Sequence, residues 1–215
     1  IRFIIRSIVA VCRLGEHELA LHVIELKTNR PRKKFEGCAE DFHKSLQKIN
    51  KRLKNHGARL MPTAAHPWMN PTDSKLWPHD NKDIYEKFHE IFDCSGHGWT
   101  NLQSVHINLP FFDDKEFEKL HAAIRFVLPI LPALAASSPM LDGKMSNLLD
   151  SRLETYRHNC SRIPSITGRV VPESAKSRAD YEENILAAMY EDIKKFDKKG
   201  ILQYEWLNAR GAIAR

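Results

Sequence analysis

The chain has 215 residues, 42% hydrophobic and 28% charged, a composition that fits a globular protein able to bury a core. Its formal net charge of +6 suits an anionic ligand such as a nucleotide as well as it suits nucleic acid. The apolar stretch from Ala122 to Ala136 is too short to span a bilayer and contains Arg125, Pro129 and Pro132, which argues against a membrane partner.

Ile1–Cys12 is apolar but carries Arg2 and Arg6, so it has no signal-peptide layout, and the expected localisation is cytoplasmic. Residues 19–26, LALHVIEL, read as a strand with apolar residues on both faces, which makes Glu25 conspicuous. A buried carboxylate is costly unless it is paired or bound to a metal. Phe35, Ala39, Phe42, Leu46, Ile49 and Leu53 then recur at helical spacing, and Gly57 supplies the stop. Residues 58–64 read as a short strand, followed by the turn His66-Pro-Trp-Met-Asn-Pro71 and a helix over 82–93. The alternation in 102–109, LQSVHINL, predicts a strand with Val105, Ile107 and Leu109 on one face and Ser104, His106 and Asn108 on the other.

Asp113 and Asp114 open a long helix running to about Ser137, kinked at Pro129 and Pro132. A further helix is expected from Asn147 to about Cys160, and 161–176 is loop-like. Ser177 and Asp180 resemble a capping box for a helix carrying Tyr181, Ile185, Met189 and Ile193, closed by Gly200. The chain finishes with a strand-like ILQYEWL and a basic loop, Asn208 to Arg215. Strands separated by helix pairs favour α+β over a doubly wound sheet.

Several groups have chemical potential. His106 and Asn108 are either the wet side of an edge strand or the lining of a concave site, where an imidazole binds metal and an amide orients substrate. Glu18 and Glu25 offer hard oxygen ligands suited to Mg2+ or Mn2+. Arg152 and Arg157 do not share a helix face closely, whereas Arg210 and Arg215 flank a glycine in a loop, where arginines grip phosphate or carboxylate. No P-loop or dinucleotide fingerprint occurs. The four cysteines (Cys12, Cys38, Cys94, Cys160) form no CxxC pair, and two of them, in apparent helices among apolar neighbours, read as buried free thiols; Cys94 and His97 lack the second pair that a zinc site needs. Basic residues are spread along the chain, densest in the five between Lys27 and Lys34. With no recognised motif beside them, no nucleic-acid partner is expected.

The segments Glu18–Pro31, Gly57–Pro71, Ser104–Pro110, Leu128–Pro139, Asp142-Gly143, Ser151-Arg152 and Glu205–Arg215 occur in an order and spacing that resemble the glutamate–cysteine ligase type 2 family of carboxylate–amine ligases. That resemblance covers about residues 16 to 215. It implies a glutamine-synthetase-like catalytic domain, a curved antiparallel sheet with helices on one face, holding ATP and Mg2+ or Mn2+. The implied reaction is phosphorylation of a substrate carboxylate by ATP, then attack of an amine on the acyl phosphate to give a γ-glutamyl or similar amide. Glu18, Glu25 and His106 would then be metal ligands, Asn108 and Arg152 substrate contacts, and Arg210 and Arg215 phosphate contacts, with Arg152 and Arg210 catalytic. The alternative is a non-catalytic descendant that binds an amino acid or nucleotide. Ile1–Cys12 lacks the acidic residues of the family's opening strand, and the strand that follows Arg215 in the family is missing here. The expectation is one catalytic domain over 1–215, incomplete at both ends, with 1–13 of uncertain assignment and a homo-oligomer left open.

Overall fold

A computed structural model describes residues 12–14 (backbone), 18–168, 171–199 and 201–202. The chain divides into two compact units, Ile1–Pro62 with Lys75–Asp80, and Thr63–Ser74 with Asn81–Arg215. The described residues combine helices with small antiparallel strand pairs, an arrangement compatible with the α+β class. No helix among them is long and apolar enough to cross a membrane. The expectations for Ile1–Val11, Gly200 and the segment from Gln203 to Arg215 lie outside the described residues.

In the first unit, β1 (Cys12–Leu14) pairs antiparallel with β2 (Leu26–Thr28), placing Leu14 opposite Leu26. The strand expected over 19–26 is therefore divided. Leu21 N donates to Lys75 O at 2.8 Å and Trp77 N to Leu19 O at 2.9 Å, so the first residues of the segment bridge to the returning chain at Ala20 and Leu76. Val23 N then donates to Ala20 O at 3.0 Å and turns the backbone before β2 begins. A strand lasts only as long as a neighbour supplies its backbone partners.

Helix α1 (Cys38–Leu53) starts after Gly37, whose φ of 73° is costly for residues with a Cβ. Gly57, at φ 64°, ends the short 3-10 turn that follows it. Phe35, expected on the helix's apolar face, precedes the helix and is 72% exposed. The buried positions of α1 are Ser45 and Ile49, and the unit's core also holds Leu19, Ala20 and Trp77.

The second unit is mainly helical. Helix α2 (Lys82–Phe92) buries Ile91 and Phe92, and Phe92 stacks on Trp99 of α3 (His97–Thr100) with ring centroids 5.6 Å apart. Arg162 donates from Nη1 to the last carbonyls of α2, Glu90 O at 2.9 Å and Ile91 O at 3.0 Å. Its guanidinium lies 5.0 Å from the ring centre of Phe196.

Helix α4 (Asp114–Val127) is fixed by Asp113, whose Oδ1 accepts from Glu116 N at 2.8 Å. The long helix expected to Ser137 stops earlier: α4 ends at Val127 and α5 (Leu131–Ala135) restarts with Pro132 in its first turn. Proline lacks the N–H that an uninterrupted helix requires, but is tolerated where a helix begins. The following hairpin joins β3 (Met140–Leu141) to β4 (Lys144–Met145) through Asp142 and Gly143, at φ 52° and 72°. Helix α6 (Ser151–His158) is shorter than the expected helix, and α7 (Pro164–Thr167) follows.

Ser177 caps α8 (Arg178–Tyr181), its Oγ accepting from Asp180 N at 3.1 Å; the helix continues through a π turn, Glu182–Leu186, into α9 (Ala187–Lys194). Buried Asp197 accepts from Ile201 N at 2.9 Å and Leu202 N at 2.7 Å.

His121 of α4 stacks on Phe117 and meets Tyr181 edge-on, and its buried Nε2 has no hydrogen-bond partner. Burial, then the charge of Arg125, lowers its pKa below the usual histidine value, while Asp180 pulls weakly the other way. The folded state therefore binds this proton less well than the unfolded state, whose histidine titrates near ~6.5. The contribution is present above that pH and is lost as pH falls below it toward the folded pKa. Melting temperature is expected to fall more steeply from pH 7 to pH 5 in the wild type than in His121→Phe; parallel curves would contradict this. The carboxylates of Asp114 and Asp180, whose pKa values are lowered chiefly by hydrogen bonds, act in a separate window at lower pH.

A second stability test concerns the Ser177 cap. Ser177→Ala is expected to cost about 1 kcal/mol in denaturant unfolding, and no loss would remove the cap from the account.

Candidate functional site

The second unit gathers its polar groups around Arg152, in the first turn of α6. Its Nη1 donates to Gln103 O at 2.7 Å, its Nη2 to Ala135 O at 2.9 Å and Ser137 Oγ at 3.1 Å, and its Nε to Asp150 Oδ1 at 3.3 Å. The same Asp150 oxygen accepts from Ser138 Oγ at 2.9 Å, and that hydroxyl oxygen accepts from Arg152 N at 3.1 Å. A guanidinium has five N–H groups in a planar fork. Four of the five are directed to the chain itself, leaving one at Nη1. Arg152 thus ties together the segment after Leu102, the end of α5 and the start of α6.

Gln103 leads into the segment predicted as a strand. Its N–H donates to Ala64 O at 2.8 Å, and Leu102 bridges Ala65. From Ser104 to Leu109 the described residues show no ladder, so in place of the expected strand stands a segment without regular structure, exposed throughout, with Val105 88% exposed. The period-two reading of its side chains holds locally: Ser104 Oγ and His106 Nε2 are 3.1 Å apart, as i and i+2 on one face require. His106 and Asn108 are both exposed.

Glu18 and Glu25 belong to the first unit and are partly buried. Glu25 is not an isolated buried charge, because its Oε2 pairs with Lys27 Nζ at 2.8 Å. Arg157 pairs with Glu154 at 2.7 Å. Arg210 and Arg215 lie outside the described residues. Among the described residues, no group of three or more His, Cys, Asp or Glu side chains stands where it could hold a metal.

Next to the Arg152 network is a hollow of about 340 Å3, lined by Leu128, Leu131, Pro132, Leu153 and Tyr156, with Asp150 and Arg157 as its charged groups. One lining residue, Asp150, also holds Arg152.

A second polar cluster was not singled out from the sequence. Asn101, buried, accepts from His66 N through Oδ1 at 2.8 Å and donates from Nδ2 to His66 O at 3.0 Å. Those two bonds fix the orientation of the amide, so Nδ2 is also the donor to His97 Nδ1 at 2.9 Å. His97 then carries its proton on Nε2 and donates to Asp142 Oδ1 at 2.9 Å. Gly143 N donates to Pro67 O at 2.7 Å, and a Cβ at Gly143 would sit 3.3 Å from the Trp68 ring, tight contact at a position with positive φ. The His66–Pro71 turn, α3 and the hairpin are joined through these groups. The available signal was the Asp142-Gly143 pair, a favoured two-residue hairpin turn. Buried Cys94 lies outside the cluster as a reactive group: burial, with smaller effects of Cys160 and Asp93, pushes its thiol up to about 12.

A sequence profile of glutamate–cysteine ligase family 2 (GCS2) matches residues 5–214. A protein of Archaeoglobus fulgidus named "Uncharacterized protein" is 39% identical over 202 residues, 92% of this chain and 53% of the relative. A protein of Bradyrhizobium diazoefficiens named "Putative glutamate--cysteine ligase 2" is 32% identical over 127 residues, 58% of this chain and 25% of the relative. The chain thus spans about half the length of the first relative and matches a quarter of the second. No solved structure matches it significantly. With the profile covering all but a few terminal residues, the chain belongs to glutamate–cysteine ligase family 2.

Proposed function

We propose that this protein is, or is part of, an ATP- and Mg2+-dependent carboxylate–amine ligase with a glutamine-synthetase-like catalytic fold. The observation that carries this reading is the family match across residues 5–214. Its chemistry is transfer of the γ-phosphoryl group of ATP to a carboxylate, followed by attack of an amine on the acyl phosphate and loss of phosphate. The partners are small molecules: an amino acid carboxylate, an amine and ATP. The catalytic demand is electrostatic, since charge accumulates on the transferred phosphoryl oxygens.

Glu18, Glu25 and His106 are proposed as metal ligands, their carboxylate oxygens and imidazole suiting Mg2+ or Mn2+. A divalent cation would supply neutralisation of phosphate charge. The described residues gather no three-ligand set, so this assignment rests on donor chemistry and resemblance. Asn108 would orient substrate, Arg152 a substrate carboxylate, and Arg210 and Arg215 phosphate oxygens, with Arg152 and Arg210 catalytic.

One observation favours a second reading, a non-catalytic binder of an amino acid or nucleotide. Arg152 has four of its five N–H groups on the chain itself, leaving little for a substrate. In that reading Arg152 is a latch.

Three measurements test these proposals. Purified protein given ATP, Mg2+ and glutamate is expected to release ADP in an amine-dependent manner across a panel including cysteine; no turnover with any amine would overturn the ligase reading. Arg152→Ala is expected to lower stability by about 1 kcal/mol, because Asp150 loses its charged partner while water replaces the donor at the exposed acceptors. Unchanged stability with a raised KM would instead make Arg152 a substrate group alone. His106→Ala, at an exposed position, is expected to weaken Mg2+-dependent ATP binding while changing stability by less than about 0.5 kcal/mol. Unaltered binding would remove His106 from the metal-ligand set.

A further inference from the structure

The positive charge of this chain is not shared evenly. The unit formed by Ile1–Pro62 and Lys75–Asp80 carries 15 Lys and Arg against seven Asp and Glu, while the other unit carries 18 against 20. The entire net surplus therefore lies in the smaller unit. Within it, the stretch from Phe42 to Pro62 has six Lys and Arg and no carboxylate.

Helix α1 arranges three of these cations. Lys44, Lys48 and Lys51 stand at i, i+4 and i+7, within about 60° of one another at ~100° per residue. All three are exposed, as are Arg52, Lys54 and Arg59, and among the described residues none is in an ion pair. Asp41 lies on the same side one turn earlier and is bound by Arg32, which holds the preceding basic loop at the helix's N-terminal end. That loop adds the exposed cations Arg30 and Lys33. Like charges at this spacing repel one another, and negative charge placed against them would relieve that repulsion.

We propose that this ridge of α1 and the Arg30–Lys33 loop bind the phosphate backbone of duplex nucleic acid without reading its sequence, an activity independent of the ligase reading. Two features favour a duplex over other polyanions. The helix turns Ser45 and Ile49 inward, so it offers no continuous apolar face for insertion into a lipid surface. On α1 the only Phe, Tyr or Trp is the half-buried Phe42, and Phe35, exposed beside the loop, is a single ring where single strands use successive stacking platforms. Lysines on flexible stems at helical spacing neutralise phosphates as point charges and specify no base.

The test is fluorescence anisotropy with labelled DNA and RNA duplexes of about 20 base pairs, titrated across salt concentrations. Log affinity is expected to fall with log salt at a slope of about −5, with little dependence on base sequence. Lys44→Glu/Lys48→Glu/Lys51→Glu should lower affinity at least tenfold and shrink the slope by about 3, since each phosphate left without its lysine is worth about 0.9. The milder Lys44→Gln/Lys48→Gln/Lys51→Gln variant should act in the same direction with helix content preserved by circular dichroism. Lys115→Glu/Lys119→Glu, exposed on α4 of the other unit, should leave binding unchanged. Absence of binding at low salt would overturn the proposal. So would binding untouched by the α1 variants, or equal or tighter retention on phosphatidylserine vesicles or polyglutamate.

Discussion

The guanidinium of Arg152 is the constraint on which the second unit's polar architecture depends. Its bonds to Gln103 O, Ala135 O, Ser137 Oγ and Asp150 join three segments, two of which also meet through the parallel bridge of Ser138 and Asp150. Backbone carbonyls outside regular structure need donors, and a planar cation with several N–H groups serves more of them at once than a neutral side chain can. Arg162 acts similarly, meeting the last carbonyls of α2 while its plane lies against Phe196. Arg125 Nε donates to Pro172 O at 2.7 Å and extends the pattern to α4. In this family member, arginines whose charge suggests ligand binding also hold the chain's loops.

A guanidinium bonded to several backbone carbonyls is fixed in position by the fold itself. Asp150 connects two features, since it orients Arg152 and lines the 340 Å3 hollow beside α5 and α6. The Asp142–His97–Asn101 cluster secures the His66–Pro71 turn and the hairpin by the same means, a buried amide satisfied on both sides.

Helices were the most legible part of the fold. The turns that end α1, the Asp113 cap of α4 and the Ser177 cap of α8 all involve residues close in sequence, and their bonds form where the local pattern places them. Strands were less legible. LALHVIEL divides between a bridge to Leu76 and the β2 ladder, and SVHINL forms no ladder among the described residues. Alternation fixes which side chains share a face, as Ser104 and His106 do, but pairing is a property of distant segments. The bonded state of Arg152 was equally hidden, because its acceptors lie up to 49 residues away.

By itself, the sequence determined the family, through ordered short segments matched along nearly the whole chain, and the helix starts and stops, through caps and glycines that act within a few residues. Tertiary structure alone decided which charges are paired and which strands find partners. Glu25 looked anomalous among apolar neighbours until Lys27 was placed beside it. The positive surplus is already present in residues 1–62, with 14 Lys and Arg against six Asp and Glu, and folding decided which of those cations share the exposed face of α1. The physical reason is common to both. Hydrogen bonds within a turn depend on backbone geometry over a few residues, whereas ion pairs, ladders and surface fields depend on distances that only folding sets.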